Sequence, residues 1–189
     1  MNTINIPKTF KITEEQFQIL AIANRDLRLE RTANGELIIM PPTGGNTGKH
    51  NAQLSAQLVI WNNQIKLGEV FDSSTAFHLP NGADRSPDIS WVKIERWNQL
   101  TSEQQETFPP LCPDFVVELR SRTDTVESLR RKMQEYLDNG IRLGWLIDPQ
   151  NRIVEIYKPQ QKVKVLNAPK NLSGEDILPG FRLNLETVW

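Results

Sequence analysis

The hydrophobic positions along the chain change period several times, and each change marks an element. "TEEQ", Thr13 to Gln16, has the form of a capping box and precedes Phe17, Leu20 and Ala21, which predicts a short helix. In "LRLERTANGELIIM", Leu27, Leu29 and Arg31 alternate, an Asn34-Gly35 turn follows, and Glu36 opens a second run to Met40; the pattern predicts a hairpin. "PPTGGNTG" reads as a loop. From His50 to Leu67, the positions Leu54, Leu58, Trp61 and Ile65 have helical spacing. Strand-like segments are predicted around 69–71, 76–79 and 88–94. "ERWNQLTSEQQETFPPLCP" is polar and proline-bounded, a connecting excursion. A short apolar strand over 115–119 follows, then a helix over 125–139 with Gly140 as its stop. "LGWLIDP" and "RIVEIYKP" read as two strands around an Asp148-Pro149 turn, and "KVKVLNAP" as another. No internal repeat or low-complexity linker interrupts this order. It predicts an α/β fold with a mixed sheet, preceded by an N-terminal helix and hairpin.

Composition narrows the function classes. A length of 189 residues suits one domain, 1–189, with a real core. The formal net charge of −1 gives no global pull toward nucleic acid or membrane, although a local basic patch can hide in such an average. Cys112 is the only cysteine, so there is no disulfide framework and no thiolate metal cluster. The opening "MNTINIPKTF" lacks an apolar segment, and no later run approaches the ~18 apolar residues of a membrane span. A cytoplasmic protein with no membrane partner is expected.

Several motifs are decoys. "GGNTGKHN" is one residue short of a phosphate loop, and His50 stands where Ser or Thr should be. His50 and His78 are too few for a histidine-built zinc site. His78 alternates with Phe77 and Leu79 and reads as a strand surface residue. His50, near a helix start, is open to two readings, helix entry or substrate contact. No nucleophile-elbow pattern occurs. Cys112, between Leu111 and Pro113, reads as a buried inert thiol.

The chemistry lies with carboxylates. "PDFVVELRS" places Glu118 inside an apolar run, and burying a carboxylate costs several kcal/mol unless a cation, a metal or hydrogen bonds compensate it. Either Glu118 is an exposed strand residue paired with Arg120 or Arg122, or it holds something. Asp114 shares its face but stands about 13 Å away along the strand, too far to share one ion. Asp88, after Pro87, begins a different strand, and neighbouring strands lie only about 4.8 Å apart. Asp88 and Glu118 can therefore face each other, with Arg120 two residues on from Glu118 on the same side. Hard oxygen ligands of this kind suit Mg²⁺ or Mn²⁺.

Pro87-Asp88 followed by Glu118-Leu119-Arg120 resembles the PD-(D/E)XK signature of restriction-endonuclease-like nucleases, with arginine in the usual lysine position. The wider order "GELIIMPPTG", His50, "SPDISWV", "PDFVVELRS", "LRRKMQEYLDNGIRLGWLIDP" and "LPGFRLNL" resembles a large bacterial family of this superfamily. That family was long catalogued as a domain of unknown function, and the likeness runs from about Glu36 to Phe181. The resemblance implies a restriction-endonuclease-like core with a central mixed sheet flanked by helices. It also implies an endonuclease that uses Mg²⁺ or Mn²⁺ on nucleic acid, DNA rather than RNA.

On this resemblance Asp88 and Glu118 are the metal ligands. Arg120 cannot easily serve as a base but can neutralise phosphate charge. Related nucleases carry Gln and Tyr in the helix after the motif strand; here Lys132 takes the Gln position and Tyr136 follows one turn later. Helix geometry puts Lys132 on the margin of the stripe Val126, Leu129, Met133, Tyr136 and Leu137. From there it either snorkels toward the site or is a solvated flank residue. Glu36 is either a hairpin surface charge or a residue near the metal. The basic run Arg120, Arg122, Arg130, Arg131 and Lys132 is either a solvated face or a phosphate-binding surface. Cutting a duplex engages two strands, which makes a homodimer a candidate assembly. The alternative, favoured by Arg120 in place of lysine, is a catalytically inactive nucleic-acid or partner-binding module on the same fold.

Overall fold

The computed structural model describes residue 7 and residues 9–189; most of the apolar-leader question posed by "MNTINIPKTF" lies outside them. In chain order the elements are α1 (Glu14–Ala23), β1 (Arg28–Arg31), β2 (Leu37–Met40), α2 (Gly45–Ile65), β3 (Gly68–Asp72), β4 (Phe77–His78), β5 (Asp84–Arg85) and β6 (Ile89–Lys93). They continue with α3 (Ile94–Trp97), α4 (Ser102–Glu106), β7 (Phe115–Leu119), α5 (Val126–Asp138), β8 (Leu143–Asp148), β9 (Ile153–Tyr157), β10 (Lys164–Asn167), β11 (Asn171–Ser173) and β12 (Arg182–Asn184). A six-stranded sheet runs β10-β9-β8-β7-β6-β3, with β7 and β8 parallel and the other neighbours antiparallel. A second sheet runs β2-β1-β5-β4, and β11 pairs with β12. The expected mixed sheet flanked by helices is what forms. Among the described residues no helix is long and apolar enough to cross a membrane.

Strand β7 shows why the faces separate. Successive side chains point to opposite sides. Phe115, Val117 and Leu119 enter the core that α2 closes with Leu54, Leu58 and Trp61. Val116 enters the core that α5 closes with Leu129, Met133 and Tyr136. Each fully buried side chain of this size contributes roughly 1.5–3 kcal/mol. Glu118 shares the face of Val116, and all five residues of β7 are buried. The close seating of α5 depends on Gly144 of β8, where an added Cβ would collide with Met133 Cε and Ile141 Cδ1. Thr125 caps α5 by accepting from the Ser128 N–H, and Gly140, at φ +100°, ends it.

Three local expectations are corrected. Helix α2 starts at Gly45, not near His50, with Gly44 in extended conformation at its N-cap. Glycine costs about 1 kcal/mol in a helix relative to alanine, but the packed remainder of this 21-residue helix outweighs that. The excursion after β6 holds α3 and α4; Thr101 and Gln104 form a capping box like that of Thr13 and Gln16. His78, read as a strand surface residue, is half-buried and engaged: its Nδ1 lies 2.8 Å from Asp84 Oδ1 and its Nε2 3.5 Å from the exposed Glu14.

Candidate active site

The register of β6 against β7 pairs Ile89 with Val117, so the next pair outward sets Asp88 opposite Glu118 on the α5 side of the sheet. Asp88 Oδ2 accepts from the Leu119 backbone N–H at 2.8 Å, which ties the two strand ends together. Asp88 Oδ1 accepts from Asn51 of α2 at 3.2 Å. From the other side, α5 delivers Lys132 and Tyr136, one turn apart. Lys132 Nζ lies 2.9 Å from Glu118 Oε1, and the Tyr136 hydroxyl donates to that same oxygen at 3.0 Å. The side chain of Lys132 is 14% exposed, so the marginal helix position does turn inward.

Sequence reasoning missed Glu30, which β1 brings to the same place. Its Oε1 lies 2.8 Å from Lys132 Nζ and accepts from the Ser86 N–H at 2.9 Å; its Oε2 accepts from Arg85 at 3.0 Å. Arg85 also donates to Glu135 of α5 at 2.6 Å. Lys132 completes its three hydrogen bonds with the Ser86 carbonyl at 3.3 Å. Ser86-Pro87 carries the chain from the second sheet into the main one, so the backbone before Asp88 also orients the lysine. The signal for Glu30 was the pairing of Arg28 and Glu30 on one face of a strand whose other face is Leu29. The signal for Asn51 was a polar residue leading the Leu54 and Leu58 stripe.

Three carboxylates, Glu30, Glu118 and Glu135, thus share two cations, and Asp88 stands beside them without an ion pair. Burial pushes Glu118 up to about 7; Lys132 opposes this, and the neighbouring Asp88 and Glu30 add to it. Burial likewise raises Asp88, against the Leu119 N–H and Lys132. Glu30 is held below the usual carboxylate range, because Lys132 and Arg85 together outweigh its burial. Lys132 is raised despite burial by Glu118 and Glu30, so it stays an ammonium. Burial, then Glu118 and Glu30, push the Tyr136 phenol well above its ordinary value. The negative charge is therefore best housed on Glu30, and Glu118 is the under-compensated member.

These groups floor a cleft of about 960 Å³ between the β1–β2 hairpin, the start of α2, the β7–α5 loop and α5. Glu36 and Arg122 line it. His50 does not; it lies half-buried in the second turn of α2, its pKa lowered by burial and by Lys49. Arg120 is also outside the cleft, a correction to its expected place beside Glu118. It follows β7 where Asp148 ends the parallel neighbour β8, and the two pair laterally at 2.8 Å. Asp114, at the far end of β7, accepts from the Lys93 N–H and pairs with Arg96. Burial pushes the Cys112 thiol up to about 12, as an inert cysteine requires.

Among the described residues no group of three or more His, Cys, Asp or Glu side chains encloses a metal position. The pair Asp88 and Glu118 nevertheless offers hard oxygen donors from adjacent strands. Glu118 Oε1 is committed to Lys132 and Tyr136, and Oε2 makes no hydrogen bond among the described residues. Excess carboxylate beside a single shared lysine is the deficit a divalent cation fills, so the donor set fits one.

The mixed sheet and its flanking helices form a restriction-endonuclease-like fold. A solved structure from Anabaena variabilis, titled a "putative nuclease belonging to DUF820", superposes with a TM-score of 0.72 at 20% identity, over 85% of this chain and 88% of that one. The model of the Uma2 family, described as "Putative restriction endonuclease", matches residues 14–186, and the chain belongs to that family. A comparison with curated proteins gave no match.

Proposed function

We propose that this chain is a divalent-metal-dependent endonuclease that hydrolyses phosphodiester bonds in nucleic acid, DNA in preference to RNA. The observation that carries the reading is the convergence of Asp88, Glu118 and Lys132 from two strands and a helix, with more acid than base at the floor of an open cleft. Asp88 and Glu118 hold Mg²⁺ or Mn²⁺. Such an ion, when bound, activates water and offsets the charge that develops on the phosphate. Lys132, held cationic by Glu30 and Glu118, orients the attacking water and stabilises anionic oxygen rather than acting as a base. Tyr136 fixes the rotamer of Glu118. Glu30 fixes Lys132, and Arg85 and Ser86 fix Glu30.

Arginine after Glu118 favours a binding module without catalysis; the lysine supplied by α5 answers that objection, because the cation reaches Glu118 from a different element. Two copies of the chain would supply the two sites that a duplex cut needs. The test is plasmid nicking titrated with Mg²⁺ and Mn²⁺, wild type beside Glu118→Ala. Metal-dependent nicking lost in the variant is expected. Nicking that survives in Glu118→Ala, or its absence over both metals, sinks the reading.

A further inference from the structure

The cleft carries five basic side chains, and their pairing divides them. Lys132 and Arg85 are held by carboxylates. Arg28, Arg122 and Arg131 line the same cleft, and their side chains make no salt bridge or hydrogen bond among the described residues. Neighbours that look equally basic in sequence are spent elsewhere: Arg120 on Asp148, and Arg130 on Glu155. The Nε of Arg28 is buried and has no hydrogen-bond partner. A buried donor left unpaired is costly, more so when it is charged. Arg28 shares a face of β1 with Glu30, opposite Met40 of β2. Its charge is felt at Asp88, yet no ion pair forms between them. Arg131 adjoins Lys132 on α5, and Arg122 stands on the β7–α5 loop. The unpaired guanidinium groups thus flank the carboxylate floor from two walls, and the planar fork of arginine matches phosphate oxygens.

We propose that Arg28, Arg122 and Arg131 form a phosphate clamp that grips the sugar–phosphate backbone of a nucleic-acid strand across the carboxylate floor, Arg28 taking the phosphate nearest Asp88. The proposal rests on the nuclease reading for its ligand, but its geometry is separate from the metal pair. It replaces Arg120 as the source of phosphate contacts. The clamp has cations on both walls, so a strand lies along the cleft instead of entering it end-on.

The test is fluorescence anisotropy of a labelled 20-base-pair DNA duplex, and of the same sequence as RNA, across a salt series with Ca²⁺ and again with EDTA. The logarithm of the wild-type binding constant should fall linearly with log salt. Arg28→Gln, Arg122→Gln and Arg131→Gln should each weaken binding and flatten the salt slope by about one. Arg28→Gln should also lower nicking kcat more than it alters KM. Arg182→Gln, exposed on β12 outside the cleft, should bind as wild type. Equal slopes and affinities for wild type and the three cleft variants overturn the clamp, as does failure of the wild type to bind either nucleic acid. Binding with these slopes but no cutting under any metal supports the clamp and removes the nuclease reading. Cutting with unchanged binding in the arginine variants does the reverse. Melting curves of each variant confirm folding.

Discussion

Glu118, Leu146 and Glu155 stand in one row across β7, β8 and β9, on the face that α5 covers. Both glutamates meet a tyrosine hydroxyl and a cation from α5: Glu118 meets Tyr136 and Lys132, and Glu155 meets Tyr157 and Arg130. The parts are nearly the same, and the balance differs. Glu155 has a guanidinium to itself, and Arg130 is 53% exposed, so water shares the compensation. Although burial opposes it, hydrogen bonds from Arg130 and Tyr157 hold Glu155 below the usual carboxylate range. Glu118 has half of a buried lysine and faces Asp88 and Glu30, and it titrates near neutrality. A closed pair stabilises a fold; an unbalanced one is poised to accept something.

The widest separation between the two clusters should appear in catalysis. Lys132→Met is expected to lower the nicking rate by about 10²–10⁴-fold, the usual cost of removing one positioned proton-transfer or charge-stabilising group. Arg130→Met should leave the rate within about twofold. Lys132→Arg separates charge from position: a partial return of rate is expected, because the ammonium's three-way geometry between Glu30, Glu118 and the Ser86 carbonyl suits lysine better. Equal losses from Lys132→Met and Arg130→Met would remove the distinction.

Metal binding should follow the same division. Mn²⁺ at 100-fold excess over its Kd stabilises by about 2.7 kcal/mol, which raises Tm by several degrees in a chain of this size. The shift should vanish in Asp88→Asn and persist in Glu155→Gln. It should also shrink between pH 8 and pH 6, because Glu118, at about 7, takes up a proton that competes with the ion. A shift that survives in Asp88→Asn would place the ion elsewhere.

How much of this was legible in the sequence follows from how local each signal is. Strand β7 and helix α5 came within a residue or two of their bounds, because the short apolar run in "FVVEL" and a helical stripe stopped by Gly140 are local patterns. Asp88 and Glu118 could be paired because Asp88 heads one apolar run and Glu118 interrupts another, and antiparallel register does the rest. Glu30 could not be placed: its partner strand β5 is two residues long and joins β1 through the single pair Arg31 and Asp84. Arg120 was misplaced because its fate depends on which strand lies beside β7. A parallel neighbour ending in Asp148 is not written near residue 120. Distant pairings decided both cases, and the charged residues they carry in decided the site.

Stability against pH offers a finer contrast, with a definite sign on the Glu118 side. A carboxyl whose folded pKa is raised from 4.5 to about 7 binds its proton more tightly when folded. It therefore costs stability as pH rises through that interval, and the full cost is present above 7. Glu118→Gln, which keeps an acceptor for Tyr136, should raise stability by roughly 1–3 kcal/mol at pH 8, with the gain disappearing by pH 4. Urea unfolding at both pH values reads it. The gain in stability should accompany loss of nicking, since the residue that strains the fold is the one the proposed chemistry uses.

Glu155→Gln should behave in the opposite sense and on a smaller scale. Its depressed carboxyl contributes stability that is present above the unfolded value of 4.5 and is lost as pH falls through the folded one. The variant should therefore be weaker than wild type at pH 7, and the two should converge in acid. Because Arg130 is half exposed, solvent screening limits the loss to about 0.5–1 kcal/mol. High salt should reduce it further, whereas the buried Glu118 effect should change little. If Glu155→Gln instead stabilised the chain at pH 8, as Glu118→Gln is expected to, charge imbalance would no longer be what separates the two clusters. The cleft would then have to be distinguished by access alone.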